Sequence, residues 1–297
     1  MLEASGEVVY VNEPMSLSRP PGGSPGVLNA RVEHRFQYVD PDDDAIWRSA
    51  FADTTTLRFH PLAELRAVRH PYHLARGIKY GVGFTLGARR GRRAMLDDPN
   101  AVFSARWLTE RVGVRTVVVV RDPVGLIGSW RQLGWRPHLD ALLAQPALIR
   151  DHLGEDVDRI RSAVESGDWL TQMCCLWNVG HRVIDEFREL DGITVWRYED
   201  LASDPLGQFE QLYDWFGLTW SERARSTIDD ATSASDDRHR GFAWNGWSRT
   251  AFRRMDSKAS VGRVDRRLNP DEADRVRAAT ADLLDRFPRR VADTPSD

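Results

Sequence analysis

Lysine is almost missing from this chain of 297 residues: Lys79 and Lys258 stand against thirty-nine arginines. Lys79 precedes Tyr80 and Lys258 precedes Ala259, so no Lys-Ser or Lys-Thr pair exists. That excludes a Walker-type phosphate loop and argues against a small-molecule kinase. The arginine excess itself reads as a coding bias. Cysteine is equally scarce, and Cys174 and Cys175 are adjacent, a poor geometry for a structural disulfide. A reducing cytoplasm is therefore the expected compartment. No apolar run reaches membrane-spanning length and no signal-peptide pattern opens the sequence, so no integral membrane segment is expected. The net charge is only −3, so no global basic field points to nucleic acid.

What is present is a globular composition, with 41% hydrophobic residues and 11 tryptophans. The length can bury a full core, as one large α/β domain or two small ones. The organising stretch is the valine run 117–120 and the Arg121-Asp122-Pro123 that follows. Four consecutive valines predict a strand buried on both faces, as central parallel strands are. Pro123 suits a first helical turn, and Leu126, Ile127 and Trp130 give the following helix one apolar face. Such a turn, at the carboxyl end of a parallel strand, is where open α/β sheets bind ligands. Arg121 at the strand exit and Ser129 eight residues later are candidates to contact one phosphate, the guanidinium offering fork donors and the hydroxyl one more. The plainer alternative is a surface Arg-Asp pair and an ordinary helix serine.

Around this unit the chain reads in order. Residues 1–7 read as the last turn of a helix with a glycine cap, and residues 8–11 as a buried strand. Glu13-Pro14 ends that strand, and Glu13 reads either as a solvated strand end or, if it is partly buried, as a candidate general base. Residues 16–30, rich in Ser, Pro and Gly, form a loop. The run Pro41-Asp42-Asp43-Asp44 caps a helix whose expected apolar face is Ile46, Trp47 and Phe51. Residues 60–86 are helical with a break at Pro71, and that proline separates His70 from His73, which makes them poor metal ligands. The run Arg89-Arg90-Gly91-Arg92-Arg93 reads as a solvated loop rather than a nucleic-acid or lipid site. Residues 168–190 form the clearest amphipathic helix. A strand over 192–197 runs into Tyr198-Glu199-Asp200-Leu201, and Asp204-Pro205 opens another helix. Asn269-Pro270-Asp271-Glu272 caps a last helix, and the tail over 288–297 reads as frayed.

Taken together, these segments resemble sulfotransferases that use 3′-phosphoadenosine 5′-phosphosulfate, in family order from Val8 to Phe287. Arg-Asp-Pro after a valine strand, with Ser eight residues past the Arg, is similar to the family's 3′-phosphate-binding segment. Tyr-Glu-Asp-Leu followed by Asp-Pro is a frequent family signature, whose tyrosine lies near the nucleotide base; the alternative for Tyr198 is a core ring. Residues 257–263 resemble the carboxy-terminal segment that adds donors to the 3′-phosphate, Lys258, Val261 and Gly262 matching it and Ser257 and Ala259 departing from it; the resemblance makes Ser257, Lys258 and Gly262 candidates there.

The resemblance implies a single domain over 1–297. Its fold would be a nucleoside-kinase-like parallel sheet flanked by helices and lacking its first strand, because the family's glycine-rich 5′-phosphosulfate loop has no counterpart here. The sequence is accordingly expected to begin inside the family's first helix, as an N-terminally truncated bacterial type. It also implies sulfuryl transfer to a hydroxyl or amine of a small-molecule, carbohydrate or lipid acceptor, with Glu13 taking the proton and no metal. Asp97 stands where the family often carries a lysine near the transferred group, so a catalytically impaired nucleotide- or partner-binding module is the alternative.

Overall fold

A computed structural model of the protein describes residues 1–17, 30–233 and 267–290. A 3-10 turn, Leu2–Ser5, is stopped by Gly6 in the left-handed conformation (φ 76°) and leads into β1, Val8–Asn12. Helix α1 spans Ala45–Thr55. Helices α2 (Pro61–Ala67) and α3 (Pro71–Arg89) each open on a proline, whose missing N–H is harmless in a first turn. Strand β2 is Arg93–Asp97 and β3 is Thr116–Val120. Helix α4, Pro123–Leu133, follows β3 at once, with the Asp122 carboxylate accepting from the Gly125 N–H as its cap and Gly134 ending it at φ 68°. Short helical turns fill the stretch where Pro146 and Gly154 stand, before α5, Val157–Glu165. Helix α6, Trp169–Phe187, is capped by Asp168. Strand β4, Ile193–Arg197, passes directly into α7, Tyr198–Ser203, and then α8, Pro205–Phe216, and α9, Glu222–Thr232. Helix α10, Pro270–Leu284, begins with a complete capping box between Asn269 and Glu272.

The four strands form two parallel pairs. Strand β1 runs beside β2 from Val8 opposite Arg93 to Asn12 opposite Asp97, and β3 runs beside β4 from Thr116 opposite Ile193 to Val120 opposite Arg197. The largest core lies behind the second pair, where Val179, Val183 and Phe187 of α6 meet Val120, Leu142 and Ile160. Burial of each such side chain contributes about 1.5–3 kcal/mol, so α6 holds this half together. The first pair packs Val11 on Leu57 and Phe84, and Val8 on Tyr213 and Ile228. Phe51 is buried as expected, but Ile46 points to solvent, because Phe51 and Trp47 fill the space against Trp107 that Ile46 was expected to share.

Among the described residues no hydrogen bond joins the two pairs into one sheet. Instead residues 93–98 and 114–119 line opposite parts of a cleft of about 3110 Å³. Pockets for small ligands are about 300–1,000 Å³, so this space exceeds what one small molecule fills. It also corrects an expectation for the valine run. Val120 is fully buried, but Val119 is 49% exposed, because the second edge of β3 opens on the cleft rather than on a neighbouring strand.

Candidate functional site

Register builds the first part of the site. Val120 lies opposite Arg197, so the next residues along, Arg121 after β3 and Tyr198 after β4, become neighbours at the strand ends. The Arg121 guanidinium sits 4.6 Å from the centre of the Tyr198 ring, a cation–π contact. Its Nε is buried and has no hydrogen-bond partner. A buried guanidinium N–H without an acceptor is costly, and an anion at the cleft, which Arg121 lines, would satisfy it. The Trp177 indole N–H donates to the Arg121 carbonyl at 3.4 Å and ties the turn to α6.

Ser129 is half-buried on α4, in the turn that holds Gly128. A Cβ added to Gly128 would lie 2.9 Å from the Arg267 Cβ, so the chain at Arg267 passes directly beside that turn. The structure thus brings Arg121 and Tyr198 into contact and sets Ser129 on the adjoining helix. Ser257, Lys258 and Gly262 lie outside the described residues.

The two residues after Tyr198 hold the turn in place. The buried Glu199 carboxylate accepts the Asp122 N–H at 2.8 Å through one oxygen and the Arg197 Nε–H at 2.9 Å through the other. Arg197 in turn donates to the Phe287 carbonyl at 2.9 Å. Asp200 accepts from Arg289 Nε at 2.7 Å and from the Arg290 N–H at 2.7 Å. The Tyr-Glu-Asp triplet is therefore a clamp: one ring faces Arg121 and two carboxylates fasten the β3 and β4 turns to the chain after α10.

Carboxylates gather at the ends of the other strand pair. Glu13 adopts φ 41°, a left-handed conformation that few side chains take, and its N–H donates to the Asp97 carbonyl at 2.9 Å. Glu13, Asp97 and Asp98 all line the cleft. The Tyr10 hydroxyl lies 2.9 Å from an Asp97 carboxylate oxygen, and burial, followed by the Asp97 charge, pushes its pKa up. Asp98 was not singled out from the sequence. Its carboxylate accepts the Met15 N–H and the Asn100 N–H and side-chain amide, yet burial, with the Glu13 charge adding, raises its pKa to about 6. In the sequence Asp98 before Pro99 is an ordinary turn residue, and the burial that perturbs it comes from packing with the distant Met15 segment.

His181 lines the cleft from α6. It stacks on Trp177 with ring centres 3.8 Å apart, its Nδ1 lies 2.7 Å from the Trp177 carbonyl, and burial lowers its pKa to about 4. The ring is thus neutral and donates to that carbonyl. Among the described residues no three His, Cys, Asp or Glu side chains gather as a metal site would require.

A parallel-stranded frame thus presents an arginine and an aromatic ring at one pair of strand ends and carboxylates at the other, all lining one cleft or, for Tyr198, in contact with its lining, and these are kinds of group that group-transfer enzymes use. A sequence model of the sulfotransferase domain matches residues 107–288, more than half of the chain, and the protein belongs to that family. It is a transferase enzyme. The matched residues hold β3, β4, Arg121, Ser129 and Tyr198, whereas Glu13, Asp97 and Asp98 precede them. Comparison with curated proteins and with solved structures finds no match.

Proposed function

We propose that this enzyme moves the sulfuryl group of 3′-phosphoadenosine 5′-phosphosulfate to a hydroxyl or amine of a small-molecule, carbohydrate or lipid acceptor. The observation that carries the reading is the buried, unpartnered Nε of Arg121, held over the Tyr198 ring at the mouth of β3 and β4. Arg121 and Ser129 hold the 3′-phosphate, joined by Ser257, Lys258 and Gly262, and Tyr198 packs on the adenine side. Passage of the chain at Arg267 beside Gly128 supports this, since Gly262 is five residues upstream of that contact.

The chemistry asks the protein for position and charge rather than for a covalent intermediate. The acceptor oxygen or nitrogen forms a bond to sulfur as the bond from sulfur to the phosphate oxygen breaks, and adenosine 3′,5′-bisphosphate leaves. A carboxylate at the ends of β1 and β2 takes the acceptor's proton. Glu13 fills that role, and Asp98, whose pKa of about 6 lies nearer to neutrality than an ordinary carboxylate's, is the residue to compare with it. The cleft that β2 and β3 line leaves room for a further hydrogen-bonding strand. Two strand edges without a neighbour line it, and its volume exceeds that of a ligand pocket.

Asp97 favours a second reading, an impaired module that binds the nucleotide without transferring sulfate, because an anion at the end of β2 opposes an anionic donor. Calorimetry with adenosine 3′,5′-bisphosphate, beside a sulfate-transfer assay on this chain and on one extended upstream, separates the two. Binding with transfer in the extended chain is the expected result, and binding without transfer in either supports the module. Arg121→Ala should weaken bisphosphate binding by about tenfold to a hundredfold, the worth of a charge-assisted hydrogen bond. Unchanged affinity in that variant overturns the assignment of the phosphate site.

A further inference from the structure

Helices α2 and α3 carry an apolar face that no other part of the described structure covers. Leu74, Ile78, Val82 and Leu86 recur every four residues along α3 and so form one stripe; Ile78 is 60% exposed and Val82 52%. Leu62 and Leu65 of α2 are exposed as well, at 72% and 52%. Close contacts hold other positions of α3. There Gly81 meets the Phe59 ring and Gly87 meets Val9 so closely that a Cβ would clash, at 2.4 and 2.5 Å. The helix backbone lies close to its support at these two glycines, while Ile78 and Val82 stay exposed.

Charge surrounds this stripe with one sign. From Leu65 to Leu96 the chain holds eight cations, Arg66, Arg69, Arg76, Lys79, Arg89, Arg90, Arg92 and Arg93, and no carboxylate, in a protein whose net charge is −3. Arg66, Arg69, Lys79, Arg89 and Arg90 are exposed. Arg89 ends α3, Arg90 and Gly91 turn, and Arg93 opens β2, so the run 89–93 is the exposed turn expected from the sequence, placed at the end of the stripe. A second copy of the chain is a poor occupant, because a twofold face-to-face contact would set these cations against each other.

We propose that α2 and α3 form a membrane-surface anchor for a bilayer rich in anionic lipid, the Leu-Ile-Val-Leu stripe entering the headgroup boundary while the flanking arginines meet lipid phosphates. No helix among the described residues is long and apolar enough to cross a membrane, so the attachment lies in the interface plane. The same helix lends Tyr72, Arg76 and Lys79 to the wall of the cleft, so docking brings the cleft to the lipid surface. The inference rests on α2 and α3 alone and does not depend on the identity of the sulfuryl donor.

Flotation with vesicles tests it directly. The full chain should float with phosphatidylglycerol–phosphatidylcholine vesicles, release progressively as salt is raised, and stay behind with pure phosphatidylcholine. Ile78→Asp with Val82→Asp should reduce flotation at least tenfold with unchanged circular dichroism, since both side chains are exposed. Arg89→Gln with Arg90→Gln should weaken it about fivefold per charge removed and flatten the salt dependence. No flotation with anionic vesicles, or flotation untouched by the aspartate pair, overturns the proposal. A dimer in gel filtration that the aspartate pair dissolves overturns it in favour of contact between copies.

Discussion

Replacing Glu199 by alanine tests the clamp that supports the Arg121 turn. Both partners of the Arg197–Glu199 pair are withdrawn from water, with side chains only 10% and 9% exposed. Removing one charge from a buried pair costs about 3–5 kcal/mol, because the remaining ion keeps its desolvation penalty and loses its partner. The Asp122 N–H loses its acceptor at the same time, so the upper part of that range is expected for Glu199→Ala. At about 2–4 °C per kcal/mol for a chain of this size, the melting temperature should fall by roughly 10 °C. Glu199→Gln keeps an oxygen for the Asp122 N–H and should fall between wild type and alanine. Arg197→Met combined with Glu199→Leu removes both ions and should recover most of the loss, as apolar replacement of a buried pair is often neutral. Urea unfolding followed by tryptophan fluorescence measures all three, and adenosine 3′,5′-bisphosphate affinity should drop in the alanine variant because Asp122 also caps α4. Should the alanine variant stay within about 1 kcal/mol of wild type, or the double replacement fall as far as it does, the clamp does not carry the turn.

Three further outcomes follow from the same structure. Gly87→Ala should destabilise by about 1–3 kcal/mol, since its new Cβ would lie 2.5 Å from Val9, whereas Gly77→Ala on the same helix meets nothing within 4 Å and should stabilise by about 0.5–1 kcal/mol; thermal melts of the pair decide. His181 is lowered from 6.5 to about 4, so between those values the unfolded chain binds a proton that the folded chain refuses, and stability falls as pH falls by up to about 1.4 kcal/mol per unit. His181→Gln should flatten that limb by one proton, and an unchanged slope in urea titrations across pH 4 to 6.5 refutes the assignment. Asp98 works in the opposite direction: its folded pKa of about 6 against 3.8 means stability is lost as pH rises through that window, so Asp98→Asn, which keeps an acceptor oxygen, should be more stable than wild type at pH 7 by about 1–3 kcal/mol. Equal or lower stability of Asp98→Asn at pH 7 shows that its hydrogen bonds outweigh its burial.

The elements were legible because their signals are local. The Gly6 stop, Pro123 in its first helical turn, the periodicity of α6 and the cap at Asn269 each need only a few neighbouring residues to act. Arg121 and Tyr198 were legible as site candidates for a related reason: two parallel strands that end in charged turns put those turns side by side once the strands pair in register. Glu199 and Asp200 were visible as a signature but not as a clamp, since their partners are Asp122, Arg289 and Arg290, 77 to 90 residues away. Asp98 was missed for the same reason, its pKa being set by burial that no neighbour in sequence predicts.

The valine run shows where local and tertiary information part. Its composition is that of a strand with neighbours on both edges, and one edge is indeed taken by β4, but on the other side Val119 faces a cleft. Exposed apolar strand edges invite pairing, and natural folds cover or charge them. Here β2 supplies Ala94, Met95 and Leu96 to the same cleft, so the apolar residues on both sides are those of a strand interior rather than of a guarded edge. The exposed residues of β2 are nevertheless the charged Arg93 and Asp97, so composition and exposure disagree at Val119 of β3 and not at β2. A hydrogen-bonding segment seated beside β3 would remove the disagreement. Hydrogen exchange gives the measure of it: amides of β3 on the cleft side should exchange fast, and protection there would mean that the edge is covered by other means.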